Sequence, residues 1–248
     1  MKKTATIAAE EVRQSLKDKK VIVVALVYAM LLFLGIQKSV AIAAAFRMAL
    51  IGIFGFMSST PSYALTLFYF ASIMLLPIFS LILAYDSISK EIHKGTIKKV
   101  AVAARRDSIL LGKFAGIYLV NISINLMMYI FAAFYTFFKE GELALSDSLL
   151  LWIFLCIYAL YFTSLAVLSS SMTSTPQKSI FLSMLLFAVP LIFLASRSIS
   201  WLSPYSYYKQ GLYILVDSSK MLLPSAILIV SSLLFILAAV FIFRRRDL

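Results

Sequence analysis

Apolar positions run along this chain in long unbroken blocks, not in alternation. Five blocks stand out, at 63–85, 109–138, 149–168, 180–195 and 222–243. Each is near or above the roughly 20 residues a helix needs to cross a hydrocarbon core about 30 Å thick. A sixth, 21–37, is short but almost purely apolar (VIVVALVYAMLLFLGIQ). None alternates with period two and each is too long for a membrane strand, so the pattern predicts helices and excludes a β-barrel. The segment 40–57 also has spanning length, but Arg47 at its centre costs about 2.5–3.5 kcal/mol on insertion scales, and it reads as an interfacial or re-entrant helix. The expected fold is an all-α membrane protein. One transmembrane domain covers 1–248, with six spans, an N-terminal amphipathic interfacial helix and one short cytoplasmic helix.

Charge placement supports that count. With six spans and both termini in the cytoplasm, most of the 23 basic residues fall inside, including Lys17, Lys19, Lys20, the run from Lys90 to Lys113, and Arg244 to Arg246. Only Lys38, Arg47, Lys139, Arg197, Lys209 and Lys220 fall outside. A seventh span through Arg47 would throw the Lys90–Lys113 cluster outside, against the positive-inside rule. A basic start followed by an apolar run and Ala41-Ile42-Ala43 superficially matches a signal peptide, but Glu10, Glu11 and Asp18 in the preceding region favour retention as a first span.

Composition narrows the chemistry. Hydrophobic residues make up 62% and charged residues 14%, where soluble domains average about 45–50% and about 25%. The lone Cys156 removes disulfide frameworks and cysteine-based zinc sites, and the lone His93 removes histidine-rich metal sites. The net charge of +12 suits polybasic segments against an anionic inner leaflet and needs no nucleic acid. No GxxxxGK[ST], HExxH or GxSxG motif occurs. The span interiors carry neutral polar groups such as Asn121, Ser123, Asn125, Thr163, Ser164 and Ser183, which more often bond neighbouring helices than handle substrate. Without intramembrane acids, a proton relay is disfavoured. Pro77 and Pro190 lie within spans two and five, where each is either a kink facing a transport path or a tolerated irregularity.

The extramembrane pieces are small. Residues 2–19 place Ala5, Ala8, Val12 and Leu16 on one side, as a helix lying along the interface would. In the loop 86–108, Asp86 or Ser87 is expected to cap a short helix with Ser89, Glu91 and Lys94 facing water, and Gly95 to end it at positive φ. Thr96 opens the next piece, and Asp107 or Ser108 caps the third span. Such a knob can dock on another protein but cannot house a reaction. The outer loop 196–221 is rich in Trp201, Tyr205, Tyr207, Tyr208 and Tyr213, and forms either an aromatic belt or a lid over an exit path.

The stretch LAYDSISKEIHKGTIKKVAVAARRDSILLGKFAG resembles the cytoplasmic loop of the type-2 ABC exporter permeases: an acidic residue, three residues, Gly-Thr, a Ser/Arg-rich turn, then Leu-Leu-Gly-Lys at the start of the third span. Here these are Glu91, Gly95, Thr96, Arg105, Arg106, Leu110, Leu111, Gly112 and Lys113. The ending FRRRDL, the amphipathic start and the aromatic loop before the last span are similar as well. Ala103-Ala104 departs from relatives that carry proline there.

The resemblance implies a multi-pass permease subunit of the plasma membrane that pairs with a second copy of itself. It implies separate ATPase subunits that bind ATP and Mg, this chain binding no cofactor and catalysing no reaction. Asp86–Gly95 would be the coupling helix that docks on the ATPase, with Asp86, Ser89, Glu91, Gly95 and Thr96 carrying the coupling and Glu91 meeting a basic groove. The cargo is left open. The rival reading is a non-transporting scaffold, immunity or sensor subunit that binds a partner protein.

Overall fold

The computed structural model describes residues 2–37, 63–97, 104–140, 145–195, 198–208 and 221–246. Among them the structure is helical throughout. Helix α1 covers Lys2–Lys17, α2 Lys19–Gln37, α3 Tyr63–Ala84, α4 Ser89–His93, α5 Arg106–Glu140, α6 Leu145–Met172, α7 Pro176–Leu194 and α8 Leu222–Arg245. Two 3-10 turns, Ser200–Leu202 and Pro204–Tyr208, follow α7. Helices α3, α5, α6, α7 and α8 are long and apolar enough to cross a membrane. Helix α2, 19 residues long, matches the short apolar block expected as the first span. The segment 40–57, with its expected interfacial or re-entrant helix, lies outside the described residues.

The helices outrun the apolar blocks. Helix α5 has 35 residues, about 52 Å at 1.5 Å per residue, so it extends beyond a hydrocarbon core of about 30 Å. Helix α6 passes the expected stop at Leu168 and runs through three serines. It continues because Ser169 and Ser171 donate their hydroxyls to the carbonyls of Ala166 and Leu168, at 2.7 Å each. Each serine thus hides its polarity against its own helix. The start of α7 is conventional: Thr175 accepts from the Lys178 N–H at 3.4 Å, with Pro176 in the first turn.

Helix α6 is the centre of the bundle and packs against α3, α5, α7 and α8; α2 lies outside α3, and α1 lies across α5. Phe154, Tyr158 and Phe162 on α6 are completely buried. A polar seam ties the inner helices together. On α5, Asn121 donates to Ser80 at 2.7 Å and Thr163 at 3.3 Å, and one turn on Asn125 donates to Ser72 at 3.3 Å and Tyr28 at 3.4 Å. Tyr28 and Ser72 are themselves hydrogen-bonded. These neutral groups join α2, α3, α5 and α6, as the sequence reading expects.

The two ends of the bundle differ. One end gathers α1, α4, the start of α5, the α6–α7 turn and the C-terminal arginines, and is basic. There Arg106 donates to the carbonyls of Arg244 and Arg246, at 2.8 and 2.7 Å, and Arg246 donates to those of Ser171 and Thr173, at 2.7 and 2.8 Å. Guanidinium groups so satisfy the last carbonyls of α8 and α6. Helix α5 begins at Arg106, so Asp107 lies inside its first turn, paired with Arg244 at 2.6 Å, instead of capping it as expected. The other end is aromatic: Tyr207 is buried, Tyr69 donates to its carbonyl at 3.3 Å, and Tyr205 packs on Phe162 at 5.4 Å between ring centroids.

Candidate functional site

Helix α4 is one and a half turns long and too short to be stable by itself. Its surroundings hold it. Helix α3 ends with Ser87 donating to the Ala84 carbonyl at 2.9 Å. The next carbonyl, Tyr85, accepts from Ser89 at 3.2 Å and from Ser179 of α7. The position before the helix is Ile88, which has no capping side chain of its own. The cap comes from α6: the N–H groups of Ile88 and Ser89 both donate to the Ser170 hydroxyl oxygen, at 3.1 Å. A buried N–H left without an acceptor costs about 1–3 kcal/mol, so this hydroxyl decides whether the turn forms.

Two expectations are corrected here. Neither Asp86 nor Ser87 caps α4, because the chain makes one more turn before the helix begins. Ser89 does not face water: it is completely buried, because it sits where α4 meets Ser170.

The acidic residues of the loop turn inward. Asp86 receives Lys20 at 2.6 Å and has Lys90 at 3.8 Å, and the Lys20 ammonium also lies 4.6 Å over the Tyr85 ring. Burial pulls the Lys20 pKa down, but the Asp86 hydrogen bond and charge, helped by Tyr85, more than offset it and hold it above the ordinary lysine value. Glu91 was expected to face water and await a partner. Instead its Oε1 lies 2.8 Å from Lys113, whose ammonium also lies 2.8 Å from Glu11 of α1. Glu91 Oε2 is buried and makes no hydrogen bond among the described residues. Lys113 is only 5% exposed. Removing one member of such a buried pair costs about 3–5 kcal/mol, because it strands a charge out of water.

With the acids turned in, the outward side of α4 and its following turn presents Lys90, His93, Lys94 and Thr96. Gly95 has φ +67°, the positive value expected of a helix terminator, and its N–H closes the helix onto the Ile92 carbonyl at 3.0 Å. A Cβ at Gly95 would meet nothing within 4 Å, so the requirement for glycine is set by the backbone alone. Thr96 donates to the Glu91 carbonyl at 3.3 Å and Ile97 is buried, returning the chain to the bundle.

Helix α1 completes the site. It buries the side carrying Ala8, with Thr4, Ile7, Glu11 and Val12 half-buried beside it, while Leu16 stays 59% exposed. Of the expected apolar side, Ala8 and Val12 turn to the bundle, while Ala5 and Leu16 lie away from it. The reason lies on α5: Gly112 and Gly116 let α1 come so close that a Cβ at Gly116 would stand 2.6 Å from Glu11 Cβ and 2.9 Å from the Ala8 carbonyl. At Gly112 it would stand 2.8 Å from Ile7. Gly-x-x-x-Gly in an apolar helix is a known close-packing signal, and GKFAG was readable in the sequence. Lys113, between the two glycines, meets Glu11 and Glu91, partners that sequence reasoning did not assign to it.

Pro77 and Pro190 stand within α3 and α7, apart from α4. Both are buried. Proline removes the N–H that would bond four residues back, and for Pro77 that freed carbonyl is Ile73, which accepts from Tyr158 at 3.5 Å. Near Pro190, the Phe187 carbonyl accepts from Tyr205 at 3.4 Å, and the Pro190 carbonyl from Ser203 at 2.7 Å. For Pro77 the freed backbone carbonyl is thus re-satisfied by a neighbouring helix. Among the described residues no group of His, Cys, Asp or Glu side chains gathers as metal ligands would. A short basic helix is fixed at one end of a membrane bundle, braced by α1, α5 and α6.

No curated protein matches the chain by sequence. The family model described as ABC-2 family transporter protein matches residues 5–248, from the first turns of α1 through the terminal arginines. A multi-pass helical bundle with a braced helix at one end, matched over nearly its whole length, makes this chain a member of the ABC-2 transporter family.

Proposed function

We propose that the chain is the permease subunit of an ATP-driven exporter in the plasma membrane, with six spans and both termini in the cytoplasm. Two copies pair and separate ATPase subunits bind below, carrying ATP and Mg, while this chain binds no cofactor. The observation that carries this reading is α4. A helix of five residues is otherwise unstable, yet here it is capped by Ser170, clamped through Glu91 and Asp86, and ended at Gly95. Such bracing suits a lever that receives a push.

The charge pattern refines the contact. Because Asp86 and Glu91 are engaged within the chain, the docking side is Lys90, His93 and Lys94, and the matching groove on the ATPase is acidic. Gly95 aims the helix, Thr96 holds the turn behind it, and Asp86, Ser89 and Glu91 hold it from within. Helix α3 adjoins both α2 and α7, and the three expose apolar residues, among them Met30, Met74, Ile78 and Met184. These faces suit a second copy and an amphipathic or apolar cargo better than hydrated ions, which find few partners there. Alternating access would move that cargo outward.

Co-expression with an ATP-binding-cassette ATPase and capture through a tag on this chain tests the reading. Wild type should retain the ATPase in a complex whose mass contains two permease copies, and Lys90→Glu with Lys94→Glu should weaken retention about tenfold or more, since reversed charges oppose the groove. If wild type retains no ATPase, the scaffold, immunity or sensor reading replaces this one.

A further inference from the structure

The sequence reading gave Lys113 only a place in a motif, and the transport reading assigned nothing to Glu11. In the folded chain these two residues and Glu91 form one unit drawn from three elements. The Lys113 ammonium stands 2.8 Å from a carboxylate oxygen of α1 and 2.8 Å from one of α4. All three side chains are shielded, with Lys113 7%, Glu11 15% and Glu91 28% exposed. An exposed ion pair does little, but a shielded one fixes orientation, because parting it strands a charge away from water.

The backbone beneath the unit adds to this. Helix α1 reaches Lys113 only because Gly112 and Gly116 on either side of it have no side chains. Lys113 is therefore set in the floor of the α1 seat, with its ammonium reaching both helices. Glu11 is carried by α1 and Glu91 by α4, and among the described residues neither carboxylate has an ion pair with the other helix. The carboxylate oxygen of Glu91 that is bound, Oε1, is the one that meets Lys113.

We propose that Lys113 is the positioning residue of the coupling helix, joining α4 to α1 through Glu91 and Glu11, so that the two helices move as one piece. The proposal rests on the reading of α4 as a coupling helix for its meaning in transport, but not for its geometry. A push on Lys90, His93 and Lys94 reaches α1 through this lysine. Helix α1 is thereby a working part of the coupling and not only a support at the membrane surface. Lys113 touches neither cargo nor nucleotide; it acts through the two carboxylates.

The test uses the full-length chain in lipid nanodiscs, with Cys156→Ser and spin labels on cysteines placed at the exposed Gln14 of α1 and Lys94 beyond α4. The label distance is read by pulsed electron paramagnetic resonance. Wild type should give one narrow distribution, and Lys113→Met a broad one. Glu11→Gln serves as the milder variant should Lys113→Met fail to fold, and it should broaden the distribution less. The combination Glu11→Lys, Lys113→Glu and Glu91→Lys keeps every contact with its sign reversed, and it should restore the narrow distribution. A merely structural role would not be rescued in that way.

In the complex with the ATPase, Lys113→Met should lower ATP hydrolysis about fivefold or more, as when an allosteric coupling of ordinary size is lost, and the triple reversal should recover it. A narrow distribution in both Lys113→Met and Glu11→Gln overturns the proposal, as does a triple reversal that stays broad. If no ATPase binds at all, the transport reading fails, while the distance measurement still decides whether Lys113 joins the two helices.

Discussion

Ser170 and Ser89 are 81 residues apart, and the hydrogen bonds between them determine how α4 is built. One hydroxyl accepts from two backbone N–H groups at the same distance, which is the work a capping side chain next to the helix would ordinarily do. Ser170→Ala should therefore leave the spans intact and loosen α4 alone. Two stranded donors, at about 1–3 kcal/mol for each unsatisfied group, would speed amide exchange at Ile88 and Ser89 by about tenfold or more. Exchange measured by mass spectrometry on the membrane-embedded protein checks this, and unchanged exchange over 85–95 would mean that α4 finds its cap elsewhere. This residue also marks what the sequence could not disclose. The positive φ at Gly95 was readable, since it depends on one residue and the turn it closes. The burial of Ser89 and the inward pairing of Glu91 were not, because both are decided by partners in α5 and α6 that are distant in the chain. A short amphipathic stretch shows which residues are polar, but not whether their partners are water or protein.

At the scale of elements, the long apolar blocks fixed where five spanning helices and α2 run. The ends were less legible, since polar side chains that bond their own helix, such as Ser169 and Ser171, extend α6 without looking like membrane residues. The seat of α1 shows which part of an apolar side a bundle takes up. Ala5, Ala8, Val12 and Leu16 share one side by spacing, yet the buried side is chosen by the two glycines on α5, which admit Ala8 and Glu11 and leave Leu16 outside. Gly116→Val should consequently unseat α1. Its Cβ would meet backbone at the Ala8 carbonyl and not only a movable side chain, so α1 must shift away, and with it Glu11 from Lys113. Gly116→Ala meets the same backbone with fewer atoms and should have a smaller effect in the same direction. Limited trypsin digestion of the embedded protein should cut at the exposed Arg13 and Lys17 about tenfold faster in Gly116→Val, because cleavage tracks local opening. Equal rates would show that α1 is held by other contacts.

For the whole molecule, the described helices constrain sidedness together. Helices α5, α6, α7 and α8 alternate in direction, so α4 and the terminal arginines stand at one end of the bundle, as the contact of Arg106 with Arg244 and Arg246 requires. Helix α1 stands there too, tied to Lys113. Helix α2 leaves from that end with Lys20 beside Asp86 and reaches the other end with Gly35 against Leu67, near the start of α3. Both termini and α4 thus share one face whatever the route of 38–62, and a chain with α1 on one side of the bilayer and α4 on the other is incompatible with the ion pair at Lys113. The proposed topology puts that face in the cytoplasm by the positive-inside rule. On a Cys156→Ser background, cysteines at Lys94 and at Gln14 should resist a membrane-impermeant maleimide in intact cells and react once the membrane is opened. A cysteine at the exposed Trp201, on the aromatic end, should react in intact cells. Labelling of Lys94 and Gln14 from outside, with Trp201 protected, would invert the topology and remove the ATPase contact with it. Opposite behaviour of Lys94 and Gln14 would break the shared face itself, and with it the packing of α1 on Gly112 and Gly116.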